Sequence, residues 1–122
     1  SIAPYLITHA LLNNIELSKQ KKIINISSNM GSISLNHDGM TIPYRASKAA
    51  LNAITKSSAI TNMSRKITII AMHPGWVRTD MGGINGLLST IESVEAMIAK
   101  IDKINLEDSG KYFSYDGKEL TW

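Results

Sequence analysis

The sequence contains no cysteine, so neither a disulfide framework nor a thiolate metal site is available to it. That absence fits a reducing compartment, and the expected location is cytoplasmic. Aromatic residues are scarce, at 6% with a single Phe, and they do not interleave with basic residues. Nucleic-acid binding has no support in such a pattern, and no nucleic-acid partner is expected. No apolar run approaches the roughly 18 residues that cross a bilayer, so no membrane partner is expected either. The three histidines, His9, His37 and His73, lack metal-ligand spacing and share no periodic face, so no metal site is expected. Linkers rich in Pro, Gly or Ser, low-complexity tracts and internal repeats are all missing. The opening residues SIAPY carry no initiator Met and no basic n-region. They do not read as a signal peptide, and the expectation is a chain entered in mid-sequence.

What is present describes one globular domain: 122 residues, 43% apolar and 19% charged. Thirteen basic and ten acidic residues give a net charge of +3. The basic residues are scattered, with Lys19, Lys21 and Lys22 as the one tight cluster, so the excess bears on solubility rather than on a partner.

The hydrophobic pattern alternates helix and strand. Residues 3–17 are apolar almost all round, which predicts a helix covered on two sides, with Pro4 suited to its first turn. The run KIINIS (22–27) is short and β-branched and predicts a buried strand. Residues 28–42 are rich in Ser, Asn and Gly and predict a loop. Residues 44–62, behind Pro43, are Ala-rich and free of Gly and Pro, which predicts a helix. The run ITIIAM (67–72) predicts a second buried strand, stopped by His73-Pro74-Gly75. Residues 76–89 predict a loop, 90–104 an amphipathic helix with Thr90 as N-cap, and 111–115 a third strand. Asp116-Gly117 signals a tight turn, and residues 118–122 a short return segment or tail. The order α-β-α-β-α-β is that of an α/β, Rossmann-like, doubly wound parallel sheet. Three strands would leave an open edge, which points to a C-terminal portion of a larger fold.

The chemistry concentrates in YRASK (44–48). Tyr44 and Lys48 are four apart on a helix and so share a face. A free Tyr ionises near pH 10, about three units too high for ready acid/base work at neutrality. An ammonium one turn away favours the phenolate and pulls that value down. An amphipathic Tyr beside a surface Lys is the bland alternative. Ser27 and Ser28, followed by Asn29 and Met30, come directly after a buried strand, where open α/β sheets bind ligands. A hydroxyl there can donate to a carbonyl oxygen, or simply satisfy local backbone. The second strand ends at Pro74, Gly75, Trp76, Val77, Arg78 and Thr79, at the same edge of the sheet. Gly75 lets backbone approach a ligand closely, and the three loops together make a convergent site. Arg45 and Arg78 flank these residues and are expected to face solvent. His37 and Asp38 lie in the long loop, either at the edge of a pocket or in solvent. The small residues Ala46, Ala49, Ala50 and Ala53 line one stripe of the helix, suited to close packing on the sheet.

IINISSNMG (23–31), YRASK with its continuation AALNAITK, and HPGWVRTDMGG (73–83), in this order, resemble the short-chain dehydrogenases/reductases. The resemblance runs over essentially the whole chain. WVRTDMGG and the terminal SGKYFSYDGKELTW (109–122) are most similar to the C-factor and sniffer-type carbonyl reductase branch of that family. The resemblance implies an oxidoreductase that moves a hydride between a nicotinamide cofactor, NADP in preference to NAD, and a small carbonyl or alcohol. It implies Tyr44 as general acid/base, Lys48 as its activator and a contact to the nicotinamide ribose, and Ser28, rather than Ser27, as the hydroxyl that polarises the carbonyl. It implies Pro74, Gly75 and Val77 as the turn under the nicotinamide, and Thr79 as a phosphate or carboxamide contact. Trp76, Met81 and Ile84 are implied as pocket wall, since the family's segment after this turn is a mobile lid, with core or lid packing as the alternative; Asn29 and Met30 are expected at the substrate pocket as well. A homodimer or homotetramer through helices 3–17 and 44–62 is implied as well. The family's Gly-rich phosphate loop, its NNAG segment and the residue that separates NAD from NADP have no counterpart in this sequence. Residues 1–122 are therefore expected to be the C-terminal half of a single dinucleotide-binding catalytic domain, without its N-terminal half. Two alternatives stand beside the enzyme: a non-catalytic dinucleotide-binding or signalling protein on the same scaffold, and a fragment inactive in isolation.

Overall fold

A computed structural model describes residues 1–122. In chain order the elements are α1 (Ile2–Leu17), β1 (Lys22–Ile26), α2 (Ile42–Thr61), β2 (Thr68–His73), α3 (Thr90–Lys103) and β3 (Tyr112–Ser114). Short 3-10 turns at Asn29–Gly31, Met63–Arg65 and Leu106–Asp108 punctuate the connections. The three strands form one parallel sheet in the order β1-β2-β3, with Ile23 opposite Ile69 and Met72 opposite Phe113. Each parallel pair is joined through a helix, the connection such pairs require. The alternation of helix and strand expected from the sequence is thus realised as an α/β, Rossmann-like sheet.

Side chains alternate across a strand, so β2 feeds two cores. Ile67 and Ile69 pack with Leu12 of α1 and Ala59 of α2 on one face. Ile70 and Met72 pack with Ile104 and Phe113 on the other, where Met97 and Ile101 of α3 close over them. Helices therefore lie on both faces, two on one side and one on the other. No helix is long and apolar enough to cross a membrane.

Several expectations need correction. β2 is fully buried along five of its six residues, but β1 is buried only at Asn25. β1 has a paired neighbour on one side alone, so its far edge is open and Ile26 is 46% exposed. α1 is covered on one side instead of two: Leu12 is its single buried residue, and Leu6, Ile7 and Leu17 are exposed. The alanine stripe of α2 does not pack on the sheet. Ala46, Ala50 and Ala53 face outward, and Leu51, Asn52, Thr55, Ser58 and Ala59 face in. The N-cap of α3 is Ser89, not Thr90: the Ser89 hydroxyl accepts from the Glu92 N–H and the Glu92 carboxylate accepts from the Ser89 N–H. The segment after Asp116-Gly117 returns and pairs antiparallel with β3, through Ser114 N–H to Lys118 O and Leu120 N–H to Tyr112 O, both at 2.8 Å. Trp122 then stacks on Tyr112 with ring centroids 5.2 Å apart.

Candidate active site

Beyond the carboxyl ends of β1 and β2 the surface opens into a cleft of ≈ 1100 Å³. Residues 27–30 enter it from β1, residues 73–77 from β2, and Tyr44 from the first turns of α2. This is the crevice that a parallel sheet offers to ligands, because loops at the strand ends carry side chains that the sheet itself holds still.

The two serines after β1 part company. Ser27 Oγ donates to Asn52 Oδ1 at 2.6 Å in the interior, and its hydroxyl is spent on structure. Ser28 caps the 3-10 turn by accepting from Met30 N–H at 3.2 Å. Its own proton finds only Asn29 Oδ1, at a long 3.4 Å. Ser28 thus keeps a donor to offer to a ligand, a separation the sequence expectation favoured on resemblance alone.

Tyr44 and Lys48 sit on one face of α2, with Lys48 Nζ 5.8 Å from the Tyr44 ring centroid. Nζ donates to Ile26 O, the last carbonyl of β1, at 3.2 Å. Tyr44 and Ser28 both line the cleft, and Lys48 stands at its border beside Tyr44 instead of on the lining. Below them Gly75 takes φ +85°, a left-handed conformation that glycine adopts without strain. The turn is anchored by Ser93 Oγ of α3, which donates to Pro74 O at 2.6 Å.

The short chain dehydrogenase family profile matches residues 2–86. This chain belongs to the short chain dehydrogenase family. C-signal of Myxococcus xanthus is 37% identical over 122 residues, all of this chain and 74% of that protein. Among solved structures, the carbonyl reductase Sniffer of D. melanogaster superposes with a TM-score of 0.95 at 35% identity. NADPH-bound carbonyl reductase from chicken fatty liver superposes at 0.91 and 36%. Both comparisons cover 100% of this chain and 54% of the other. The chain therefore spans about half the length of these two reductases.

In this short chain dehydrogenase, ten expected site residues share the cleft: Ser28, Asn29, Met30, Tyr44, Pro74, Gly75, Trp76, Val77, Thr79 and Met81. Asp38 joins them, whereas His37 and Ile84 do not. Thr79 is occupied within its own loop, where Oγ1 accepts from Gly82 N–H at 3.1 Å. That loop is strapped to itself. Trp76 Nε1 donates to Gly82 O at 2.7 Å, and Arg78 N–H and Leu88 N–H bond across to Leu88 O and Trp76 O. Arg78 is exposed, as expected, and its guanidinium also donates to Gly86 O at 3.0 Å.

Three contributors were not anticipated. Arg45 lines the cleft with its side chain only 12% exposed. His73 closes β2 at the floor, its Nδ1 buried without a partner, and burial lowers its pKa to about 4 against the opposing pull of Asp116. The third is α3, which supplies Thr90, Ser93, Val94 and Met97 as a wall. The apolar period of α3 was legible in the sequence, but not which end of the sheet it would meet.

Proposed function

We propose that the protein is an oxidoreductase that interconverts a small carbonyl compound and its alcohol, using a nicotinamide dinucleotide and Tyr44 as general acid/base. One observation carries the reading: Ser28, whose donor is held only by a long bond, and the phenol Tyr44 line one cleft at the strand ends, with the Lys48 ammonium beside Tyr44 at its border. A structural Tyr–Lys pair would have no need of such a serine, nor of a cleft.

In the reducing direction Ser28 Oγ–H donates to the substrate carbonyl oxygen and draws electron density from its carbon. Tyr44 delivers its phenolic proton to the same oxygen, completing the alcohol and leaving a phenolate. The Lys48 ammonium stands next to that negative charge and steadies it. Anchored on Ile26 O, it keeps this position without help from the ligand. When bound, the nicotinamide supplies the hydride that the carbonyl carbon receives.

The residues present suit such a cofactor. The bridge between Val77 and Leu88 uses Trp76 O and Arg78 N–H, which leaves the Val77 N–H, on a cleft-lining residue, without an intramolecular partner. An amide donor of this kind matches a carboxamide oxygen. Pro74 and Gly75 form the adjoining turn, and Tyr44 and Lys48 would hold the rest, joined by Thr79 if the cofactor displaces its bond from Gly82 N–H. Its NADPH-bound relative from chicken fatty liver supports NADP as the form used. The exposed apolar side of α1, with the small outward residues of α2, supports self-association through these two helices.

Tyr44→Phe in the complete protein tests the proposal. A drop in carbonyl reduction of roughly 10²–10⁴-fold is expected, and retention of activity within about tenfold overturns the acid/base role. C-signal, by its name, favours a second reading, a signalling protein on the same scaffold. Dinucleotide binding without turnover across a broad panel of carbonyls decides for it.

A further inference from the structure

Arg45 follows Tyr44 directly, and on an exposed helix start its guanidinium ought to be solvated. Instead it turns back over the loop that precedes α2. Nε donates to Met40 O at 2.8 Å, Nη2 to Asp38 Oδ1 at 2.8 Å, and Nη1 reaches Met30 O at 3.5 Å. Asp38 Oδ1 also accepts from Met40 N–H at 2.8 Å, so carboxylate, backbone and guanidinium close a ring. These bonds hold the Asp38 carboxyl below the usual carboxylate range. Three acceptors in three directions need a planar fork, which lysine does not offer.

A second, independent feature lies inside the ring. Thr41 adopts φ 55° and ψ 40°, the left-handed region, although it is β-branched. Such a residue is a true outlier and persists only where its surroundings hold it. The holding bonds are here: Arg45 N–H donates to Thr41 O at 3.0 Å, while Arg45 Nε fixes the preceding carbonyl. Asp38, Thr41 and Met30 all line the cleft beside Tyr44.

We propose that Arg45 is a positioning residue: its guanidinium clamps residues 38–41 and the Met30 carbonyl onto the start of α2, and so sets one wall of the cleft in which the carbonyl substrate binds. The role in substrate binding rests on the function proposed above, but the clamp does not. Because Tyr44 and Lys48 stand on α2 itself, loosening the wall should weaken substrate binding without disabling the chemical step.

The test uses the complete protein and hydrogen exchange first. In Arg45→Met the amides of residues 38–41 should exchange at least about tenfold faster while those of β2 stay protected, because opening is then local. Asp38→Asn, on a side chain 57% exposed, should speed the same amides and has little power to unfold the protein. It decides the matter if Arg45→Met does not fold. Arg45→Lys should recover the protection only in part. In steady-state reduction Arg45→Met should raise the carbonyl KM about tenfold with kcat within about threefold, the split expected when binding and not chemistry is lost. Unchanged exchange at 38–41 in both the Met and Asn variants overturns the clamp, as does full recovery by lysine. A fall in kcat at constant KM overturns its role in binding. If the wild-type protein reduces no carbonyl, the proposed function fails, and the exchange data still decide the clamp.

Discussion

The hydroxyl of Ser27 and the side-chain oxygen of Asn52 are 2.6 Å apart, a bond sealed between the end of β1 and the inner face of α2. Asn52 Nδ2 has no partner at all, so this bond is what keeps the amide from being wholly unsatisfied. Ser27→Ala should therefore cost about 1–3 kcal/mol of stability, the penalty for a buried polar atom left alone. Activity per folded molecule should survive. Ser28→Ala should do the reverse. It loses one capping bond on a short turn, about 1 kcal/mol or less, yet removes the donor we propose for the carbonyl and should cut kcat by about 10²-fold or more. Urea melts and steady-state kinetics on the two variants separate the roles. Equal losses of activity would contradict the assignment.

His73 makes stability depend on pH. Its ordinary pKa is 6.5, and burial lowers it to about 4 in the folded protein. Between these values the unfolded chain binds the proton and the folded chain does not, so stability rises with pH. The contribution is fully present above pH 6.5 and is lost as pH falls towards 4. Its size should be on the order of 1–2 kcal/mol once screening by water at the cleft is allowed for. Denaturant unfolding at pH 7.5, 6 and 5 should show the decline, and His73→Gln should flatten it. A variant with the same slope as the wild type would place the titrating group elsewhere.

Features fixed by local rules were legible in the sequence. KIINIS and ITIIAM are β-branched runs too short for helices, and both are strands. Tyr44 and Lys48 share a face because any helix puts i and i+4 together. What depended on distant partners was not legible. Asn25 bonds Thr55 and Ser27 bonds Asn52 across the interface of β1 and α2, so a polar stripe of the helix is the buried one and the alanine stripe faces out. Hydrophobic periodicity counts apolar positions and has no means of pairing two polar ones. Arg45 follows the same logic, since its three acceptors belong to a loop whose path no periodicity describes. The cap of α3 is a different case. Ser89 with Glu92 three residues on is a capping-box signature, but the apolar period that begins at Ile91 favours a start one residue later.

Gly75 and Gly83 offer a controlled comparison on one loop. Both have positive φ, +85° and +73°. A Cβ on Gly83 would meet nothing within 4 Å, whereas one on Gly75 would lie 2.5 Å from Leu88 Cδ1 and 2.9 Å from Tyr115 Cδ1. Gly83→Ala thus suffers the backbone strain alone, about 1–2 kcal/mol. Gly75→Ala suffers the same strain and must also push Leu88 aside. Leu88 is bridged to Trp76 and Arg78 through its N–H and carbonyl, so the displacement passes to Val77, whose free N–H we assign to the cofactor carboxamide. Gly75→Ala should therefore lose more stability than Gly83→Ala and raise the dinucleotide KM by about tenfold, the range of one lost hydrogen bond. Gly83→Ala should leave that KM unchanged. Thermal melts and cofactor titrations of the two variants in the complete protein check the difference. Equal cofactor KM values in both would show that the turn at Gly75 does not position the cofactor.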